Sequence, residues 1–343
     1  GCNSACITGN GIEVKILDAQ ESADPKKRKP KKDNSVINEI VTLQVSVSKD
    51  AEIGDHELCL GTAKGLSNKL TFQIGQLKEI MEVEPNSLKE QNTPVPQLPA
   101  TLNGQIMPGD VDFFKFHASK GQHLVVQAYV RTLIPYIADA VPGWFQADLT
   151  LLDSQGVEVA HSSDFKFNQD PVLFHKVESD ADFYLAVRDS IYRGREDFVY
   201  RVKIGELPFI TGVYPLGAQH DDSPFKVKLS GVNLPSSSIK VDVSKTAPAV
   251  EYIQVKSDDG LLSNKVPFAI SVLPEITSDE WINSAESAQR VKPPVVVNGT
   301  VSPDAPQFFS FEGKKGQDIS CEVMARRLGS PLDSELELFD PNG

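Results

Sequence analysis

The strongest constraint on this chain is that it repeats itself. Leu102-Asn-Gly104 returns as Val297-Asn-Gly299, Phe113-Phe-Lys-Phe116 as Phe308-Phe-Ser-Phe311, and Lys120-Gly-Gln122 as Lys315-Gly-Gln317, each 195 positions later. Upstream, Gly65-Leu-Ser-Asn-Lys69 returns as Gly260-Leu-Leu-Ser-Asn-Lys265. A spacing held across separate motifs marks a duplication, and whatever fold one copy adopts the other must resemble. Gly1-Cys-Asn3 resembles Gly231-Val-Asn233 at a spacing of 230, so the first copy is expected to carry an insertion before Gly65. It falls in the polar stretch 19–38, around the basic run Lys26-Lys-Arg-Lys-Pro-Lys-Lys32. With no aromatic residues interleaved, that run reads as a solvated loop rather than a nucleic-acid signal.

Turn signals and period-two alternation fill the repeated segments. Asp112-Phe-Phe-Lys-Phe-His117 alternates, with Phe114 and Phe116 on one face; Gln122-His-Leu-Val-Val-Gln-Ala-Tyr-Val130 follows the turn at Lys120-Gly121. Asp148-Leu-Thr-Leu-Leu152, Phe183-Tyr-Leu-Ala-Val-Arg188 and Phe198-Val-Tyr-Arg-Val-Lys-Ile204 continue the series. With 23 Gly and 23 Pro punctuating the chain, the reading is all-β: tandem β-sandwiches, an immunoglobulin-like one followed by a jelly-roll-like one, duplicated. The expected domains are 1–76 (partial immunoglobulin-like, with the 19–38 insertion), 77–207 (larger sandwich), 208–273 (immunoglobulin-like) and 274–343 (partial second larger sandwich). The first copy opens at the counterpart of Gly231 and the second stops at Phe339-Asp-Pro-Asn-Gly343, so both ends are expected to lie inside domains.

The net charge of −13 argues against nucleic acid or an anionic membrane surface as partner. No uncharged stretch approaches the ~20 apolar residues of a membrane helix. The four cysteines are scattered: Cys59 and Cys321 sit in strand-like runs as small buried hydrophobes, while Cys2 and Cys6 form a CxxxC able to pair or to bind metal. The six histidines (His56, His117, His123, His161, His175, His220) lack zinc-site spacing, and no GxSxG elbow is present.

The stretch Glu82-Val-Glu-Pro-Asn86, with Leu102-Asn-Gly104, Gly109-Asp-Val-Asp-Phe-Phe-Lys-Phe116 and Lys120-Gly-Gln122, resembles the bacterial pre-peptidase C-terminal (PPC) domain. Ile210-Thr-Gly-Val-Tyr-Pro-Leu-Gly217 and Gly260-Leu-Leu-Ser-Asn264 resemble an IPT/TIG immunoglobulin-like domain, and the runs 191–200 and 326–333 are similar to those of large exported proteins of planctomycete-type bacteria. The resemblance implies an extracellular, periplasmic or cell-surface location and further domains of a parent chain. It specifies a fold more than an activity.

Glu82, Glu84 and Asn86 alternate along an extended segment, and Asp110 and Asp112 alternate just before a strand. If that segment folds back beside the strand, four carboxylates and an amide converge, and a divalent cation would relieve their repulsion. Calcium, a hard cation that takes six to eight oxygens, suits such a set. Solvated turn acids are the other reading of the same residues. The resemblance adds that collagenase-type PPC members bind calcium at matching positions. In the second copy Asp110-Val-Asp112 has become Ala305-Pro-Gln307, so calcium is expected in the first copy alone.

The loop Leu133-Ile-Pro-Tyr-Ile-Ala-Asp-Ala-Val-Pro-Gly-Trp-Phe145 carries Tyr136, Trp144 and Phe145, with Tyr192 and Arg193 as expected flanking residues. Such rings stack on sugars or anchor protein partners, or else form a lid on the sandwich. The function expected is a non-catalytic, exported binding, adhesion or accessory module recognising a polysaccharide or an extracellular protein. The alternative is the accessory region of a secreted peptidase or other hydrolase.

Overall fold

The computed structural model describes residues 2–21, 38–134, 144–244, 248–278, 282, 284–302 and 306–340. Within them the chain is built of strands, with two short 3-10 turns at Lys89–Gln91 and Arg326–Leu328 as its only helical segments. No described helix is long and apolar enough to cross a membrane. The chain divides into two compact units, Gly1–Gly205 and Glu206–Gly343.

Unit 1 opens with β1 (Cys2–Ile7), the long hairpin β2 (Ile12–Glu21) and β3 (Asn38–Val47), then β4 (Gly54–Thr62), β5 (Gly65–Leu66) and β6 (Leu70–Ile74). β4 pairs antiparallel with β1, β5 and β6. The sandwich follows, with β7 (Lys78–Met81), β8 (Thr93–Pro94), β9 (Ala100–Gln105), β10 (Val111–Ala118), β11 (His123–Tyr129), β12 (Ala147–Leu152), β13 (Glu158–Ser162), β14 (Val172–Lys176), β15 (Ala181–Asp189) and β16 (Val199–Gly205). Its two five-stranded sheets run β13-β12-β15-β10-β8 and β14-β11-β16-β9-β7.

Alternation in sequence becomes alternation in burial. Along β10, Asp112, Phe114, Phe116 and Ala118 face inward while Phe113, Lys115 and His117 face outward. Phe114, Phe116, Leu149, Leu151, Leu185 and Val187 from one sheet meet Leu102, Leu124, Val126, Tyr200, Val202 and Ile204 from the other in a single core. Phe114 meets Tyr200 edge-to-face at 6.4 Å, and Phe145 stacks on Phe198 at 5.2 Å.

Unit 2 contains β17 (Phe209–Tyr214), β18 (Gly217–Gln219), β19 (Phe225–Val232), β20 (Ser238–Val241), β21 (Ala249–Ile253) and β22 (Val266–Ser271), then the short β23 (Glu275–Thr277), β24 (Gln289–Arg290), β25 (Val296–Asn298) and β26 (Phe309–Ser310). Two three-stranded sheets, β17-β19-β20 and β18-β22-β21, enclose a second core around Phe268.

The sequence repeat is repeated as hydrogen bonds. Asn103 Nδ2 donates to Glu79 Oε2 as Asn298 Nδ2 does to Glu275 Oε2. The Leu60 N–H donates to Ser67 Oγ as the Val255 N–H does to Ser263 Oγ. At the Lys-Gly-Gln turns, the Ser119 and Lys314 N–H groups donate to the Gln122 and Gln317 side chains. The match of Gly1–Asn3 to Gly231–Asn233 is not carried into the pairing, since β1 lies against β4 whereas β19 lies between β17 and β20.

Two cysteine expectations are corrected. Cys6 is joined to Cys59, which face each other across β1 and β4, so Cys59 is half of a disulfide rather than a free buried hydrophobe. Cys321 is exposed and lies in no strand among the described residues, so it is not a small buried hydrophobe. The insertion before Gly65 takes the form of the β2–β3 hairpin, paired through Val14–Val45 and Ile16–Leu43; the basic run 26–32 lies outside the described residues.

Candidate metal centre

Strand β7 pairs in parallel with β9, and the Glu82 N–H continues that ladder by donating to the Asn103 carbonyl. The chain then crosses to the other sheet: the Val83 N–H donates to Thr93 Oγ1, and the Asn86 carbonyl accepts from the Phe113 N–H. This path lays 82–86 beside the start of β10. As a result one carboxylate oxygen from each of Glu82, Glu84 and Asp112 lies within 4.8 Å of the others.

The cluster is buried at one end and open at the other: Asp112 and Asn86 are fully buried, Glu82 is half-buried and Glu84 is exposed. Asp112 Oδ2 accepts the Tyr200 hydroxyl at 2.5 Å, while Glu82 Oε2 stands 3.3 Å from the same hydroxyl. One hydroxyl hydrogen cannot serve both, so Asp112 takes it. Glu82 Oε1 accepts the Gln105 N–H and Glu84 Oε2 the Asn86 N–H, both at 2.9 Å. With both carboxyls ionised, Asp112 Oδ1 and both polar atoms of the Asn86 side chain have no hydrogen-bond partner among the described residues. A buried amide or carboxylate oxygen left without a hydrogen bond costs about 1–3 kcal/mol, more if charged.

The electrostatics follow from the burial. Loss of water raises the Asp112 carboxyl to about 9, reinforced by its hydrogen bond to Glu82. Glu82 is raised as well, chiefly by burial. Tyr200 is pushed far above an ordinary phenol, first by burial and then by the two carboxylates it faces. Without a cation, the raised Asp112 and Glu82 carboxyls do not both ionise at neutral pH.

Asp110 departs from expectation. Its carboxylate accepts the Ser87 hydroxyl at 2.7 Å and the Val111 N–H at 3.0 Å, so it shapes the turn and tethers the 82–87 segment instead of joining the three gathered acids. Two residues of the site escaped the sequence reading, Tyr200 and Gly104. They are opposed across β16 and β9. A Cβ on Gly104 would lie 2.2 Å from the Tyr200 hydroxyl and 2.3 Å from Glu82 Oε2, so the glycine makes room for the site. A glycine inside an alternating strand was the available signal. In unit 2 the positions of Glu82, Asn86 and Asp112 hold Ser278, Ile282 and Gln307, and the cluster of unit 1 is the only such group among the described residues.

The aromatic group is placed differently. Tyr136 lies outside the described residues. Phe145 is core, stacked on Phe198, and so offers no face to a ligand. Arg193 is occupied by two hydrogen bonds to Asp189 and one to the Trp144 carbonyl, all at 3.0 Å, which makes it a brace. Trp144 is half-buried beneath the Arg131 guanidinium, 4.4 Å from the ring centre. Tyr192 is exposed, with the Arg188 guanidinium 5.0 Å from its ring centre. Its carbonyl accepts the Gly109 N–H, and a side chain on Gly194 would collide with the Met107 backbone at 1.9 Å, so the 189–195 loop is seated on the turn that leads into the acidic cluster.

No family model matches the chain, and no curated protein matches it. Among solved structures, it is similar to the pre-peptidase C-terminal domain of a collagenase from Bacillus anthracis, at 12% identity over 33% of this chain and 95% of that one, with a TM-score of 0.23. PliG of Aeromonas hydrophila, a periplasmic inhibitor of g-type lysozyme, is similar at 12% identity over 33% and 95%, TM-score 0.22. The M60 catalytic domain of Clostridium perfringens ZmpB with its two CBM51 domains is similar at 11% identity over 80% of this chain and 41% of that one, TM-score 0.22.

Proposed function

We propose that Glu82, Glu84, Asn86 and Asp112 hold a calcium ion, and that the chain is an exported, non-catalytic accessory or adhesion module. The observation that carries the metal reading is the pair of buried, unpartnered groups, the Asn86 amide and Asp112 Oδ1, beside the gathered acids. A protein interior rarely leaves such oxygens empty-handed, and a cation would serve Asn86 Oδ1 and Asp112 Oδ1 together. The donor set is all oxygen, carboxylate and amide, which suits calcium and disfavours softer ions that seek nitrogen or sulfur. Bound there, calcium supplies positive charge that fixes the 82–86 crossing to β10. Asp110 and Ser87 hold the crossing in register, and Tyr200 orients Asp112.

Export is supported by the Cys6–Cys59 disulfide, since such bonds persist in oxidising compartments. A calcium site of modest affinity also suits surroundings where the ion is abundant. Recognition of a polysaccharide or an extracellular protein is assigned to the end loops, where Tyr192 is presented on the turn that feeds the acidic cluster. Titration calorimetry on the chelator-treated full chain is the test. Saturable heat with calcium, weaker with magnesium and reduced at least tenfold in Glu84→Gln, is expected; no heat at millimolar calcium overturns the metal reading.

A further inference from the structure

Within unit 1 the two sheets of the sandwich present different outer faces. On the β14-β11-β16-β9-β7 sheet, Gly75 stands against the Arg201 guanidinium and Asp55 acts on both Tyr129 and Lys203, so the end of the β4–β6 pair lies against that face. On the β13-β12-β15-β10-β8 sheet, the outward Phe113, Lys115, Thr150, Tyr184 and Arg188 are half-buried and His161 is exposed.

Register gives this second face its relief. Phe113 opposes Ala186, Ala186 opposes Thr150, and Thr150 opposes His161, one row across four strands. Ala186 is short and only 6% exposed, so the row dips between taller neighbours on β15. One wall is Tyr184, opposed by Lys115. The other is Arg188, whose guanidinium lies 5.0 Å from the Tyr192 ring centre. The two walls are four residues apart on one strand, about 13 Å between Cα atoms at the usual rise, a trough that admits a sugar ring.

The charge around the trough runs against that of the chain. The net charge is −13, yet each acid of this face is matched by a cation and a histidine. Asp182 meets Lys115 Nζ at 2.9 Å and His117 Nδ1 at 3.1 Å; Asp148 meets Arg188 Nη2 at 3.0 Å and His161 Nε2 at 2.8 Å. Lys89 then adds an ammonium with no carboxylate partner among the described residues, its one hydrogen bond a long 3.4 Å to the Ser154 carbonyl. It lies 5.1 Å from the Tyr184 ring centre, and Lys115 lies 5.9 Å from the same centre. Two ammonium groups therefore attend one ring at the lip of the trough. In the second copy the motif holding Lys115 reads Phe308-Phe-Ser-Phe311, so the lysine is replaced by Ser310.

We infer that this trough binds an acidic polysaccharide, with a carboxylate or sulfate seated at Lys89 and Lys115 and the adjoining sugar ring laid over Ala186 and Thr150. The inference rests on the chain being a recognition module, and adds the sheet beside Tyr192 to its binding surface. A neutral glycan would leave the Lys89 charge unanswered, and an apolar partner would strip water from ammonium and carboxylate groups at a cost. Exposed lysines each hold an anion weakly, so affinity comes from several charged sugars of one chain engaged together.

Affinity electrophoresis of the full chain in the presence of chelator tests this, with polygalacturonate and dextran sulfate as the polyanions and dextran as the neutral polymer. Retardation by a polyanion and not by dextran is expected; polygalacturonate alone assigns the site to carboxylates, dextran sulfate alone to sulfates. Lys89→Gln combined with Lys115→Gln is expected to weaken retardation by about tenfold without lowering the melting temperature. Replacing the basic residues of the run 26–32 by Gln is expected to leave most of it. Retardation that survives the double lysine variant and disappears with the run 26–32 overturns the inference. Retardation by neither polyanion overturns it too, and a glycan and matrix-protein array probed in parallel then shows whether the recognition reading falls with it or stands with another ligand.

Discussion

A carboxyl group sealed at the start of β10 beside Glu82 keeps its proton at neutral pH when no cation is present, because its folded value of about 9 lies above the ~3.9 of an unfolded aspartate. The folded ion-free protein then binds more protons than the unfolded chain between those values, so stability falls as pH rises from about 4 to about 9. Calcium would need the ionised form, so binding as proposed is expected to expel about one proton near pH 7. Calorimetry in buffers of different ionisation enthalpy reads that proton directly, and enthalpies that do not depend on buffer contradict the assignment. Gly104→Ala places a methyl group against the Tyr200 hydroxyl and Glu82; calcium affinity is expected to fall at least tenfold, with loss of about 1–3 kcal/mol on urea unfolding from overpacking. At this scale the candidate acids were legible from alternation within each segment and from the family resemblance, while the gathering of Glu82, Glu84 and Asp112 needed the 82–86 segment to fold back beside β10. Tyr200 was not, because it reaches Asp112 across 88 positions of sequence. Asp110 was misjudged because a turn carboxylate and a ligand carboxylate look alike until the N–H groups around them are placed.

Among the elements, the 189–195 loop rests on one buried acid. Burial alone would raise Asp189, but the Arg193 guanidinium and the N–H groups of Gln146, Arg193 and Ile191 outweigh it and hold its carboxyl below the usual range. Its contribution is therefore present above the unfolded value of ~3.9 and is lost as pH falls through the lower folded one. Asp189→Asn is expected to cost about 3 kcal/mol at pH 7, with a difference from wild type that shrinks toward pH 2 in urea melts. A cost that is flat with pH would assign the loop to packing instead. The Cys6–Cys59 link closes a span of 53 positions around the β2–β3 hairpin, and Cys59→Ser is expected to cost about 4 kcal/mol, a loss that reductant reproduces in the wild type and not in the variant. Strand positions were readable from alternation, and Phe114, Leu149 and Val202 are core where the pattern puts them. The cysteine pairing was not, because partners on separate strands carry no spacing signal. Nor was the first hairpin, where charged or polar residues alternate with Val14, Ile16, Leu43 and Val45 on a sheet of only two strands.

For the molecule as a whole, the two copies share several hydrogen bonds, while among the described residues only unit 1 gathers the acids. Each unit has its own core, so heating is expected to reveal calcium acting on one of two transitions. At a hundredfold excess over Kd the ion stabilises unit 1 by about 2.7 kcal/mol, a rise of roughly 5–10 °C for a unit of that size, with the unit 2 transition unmoved. Scanning calorimetry with calcium and with chelator checks it, and a shift shared by both transitions would deny the difference between the copies. The repeat was plain in the sequence because motifs are local, and the absence of a second acid cluster among the described residues was legible in Asp112 becoming Gln307.

The bond between Cys6 and Cys59 spans every lysine and arginine of the run 26–32. A trypsin-like enzyme that cut the chain there would sever the polypeptide without releasing either piece. The cut protein would migrate as one band until a thiol is added, so this staple would keep the amino-terminal segment attached through a cleavage that otherwise sheds it.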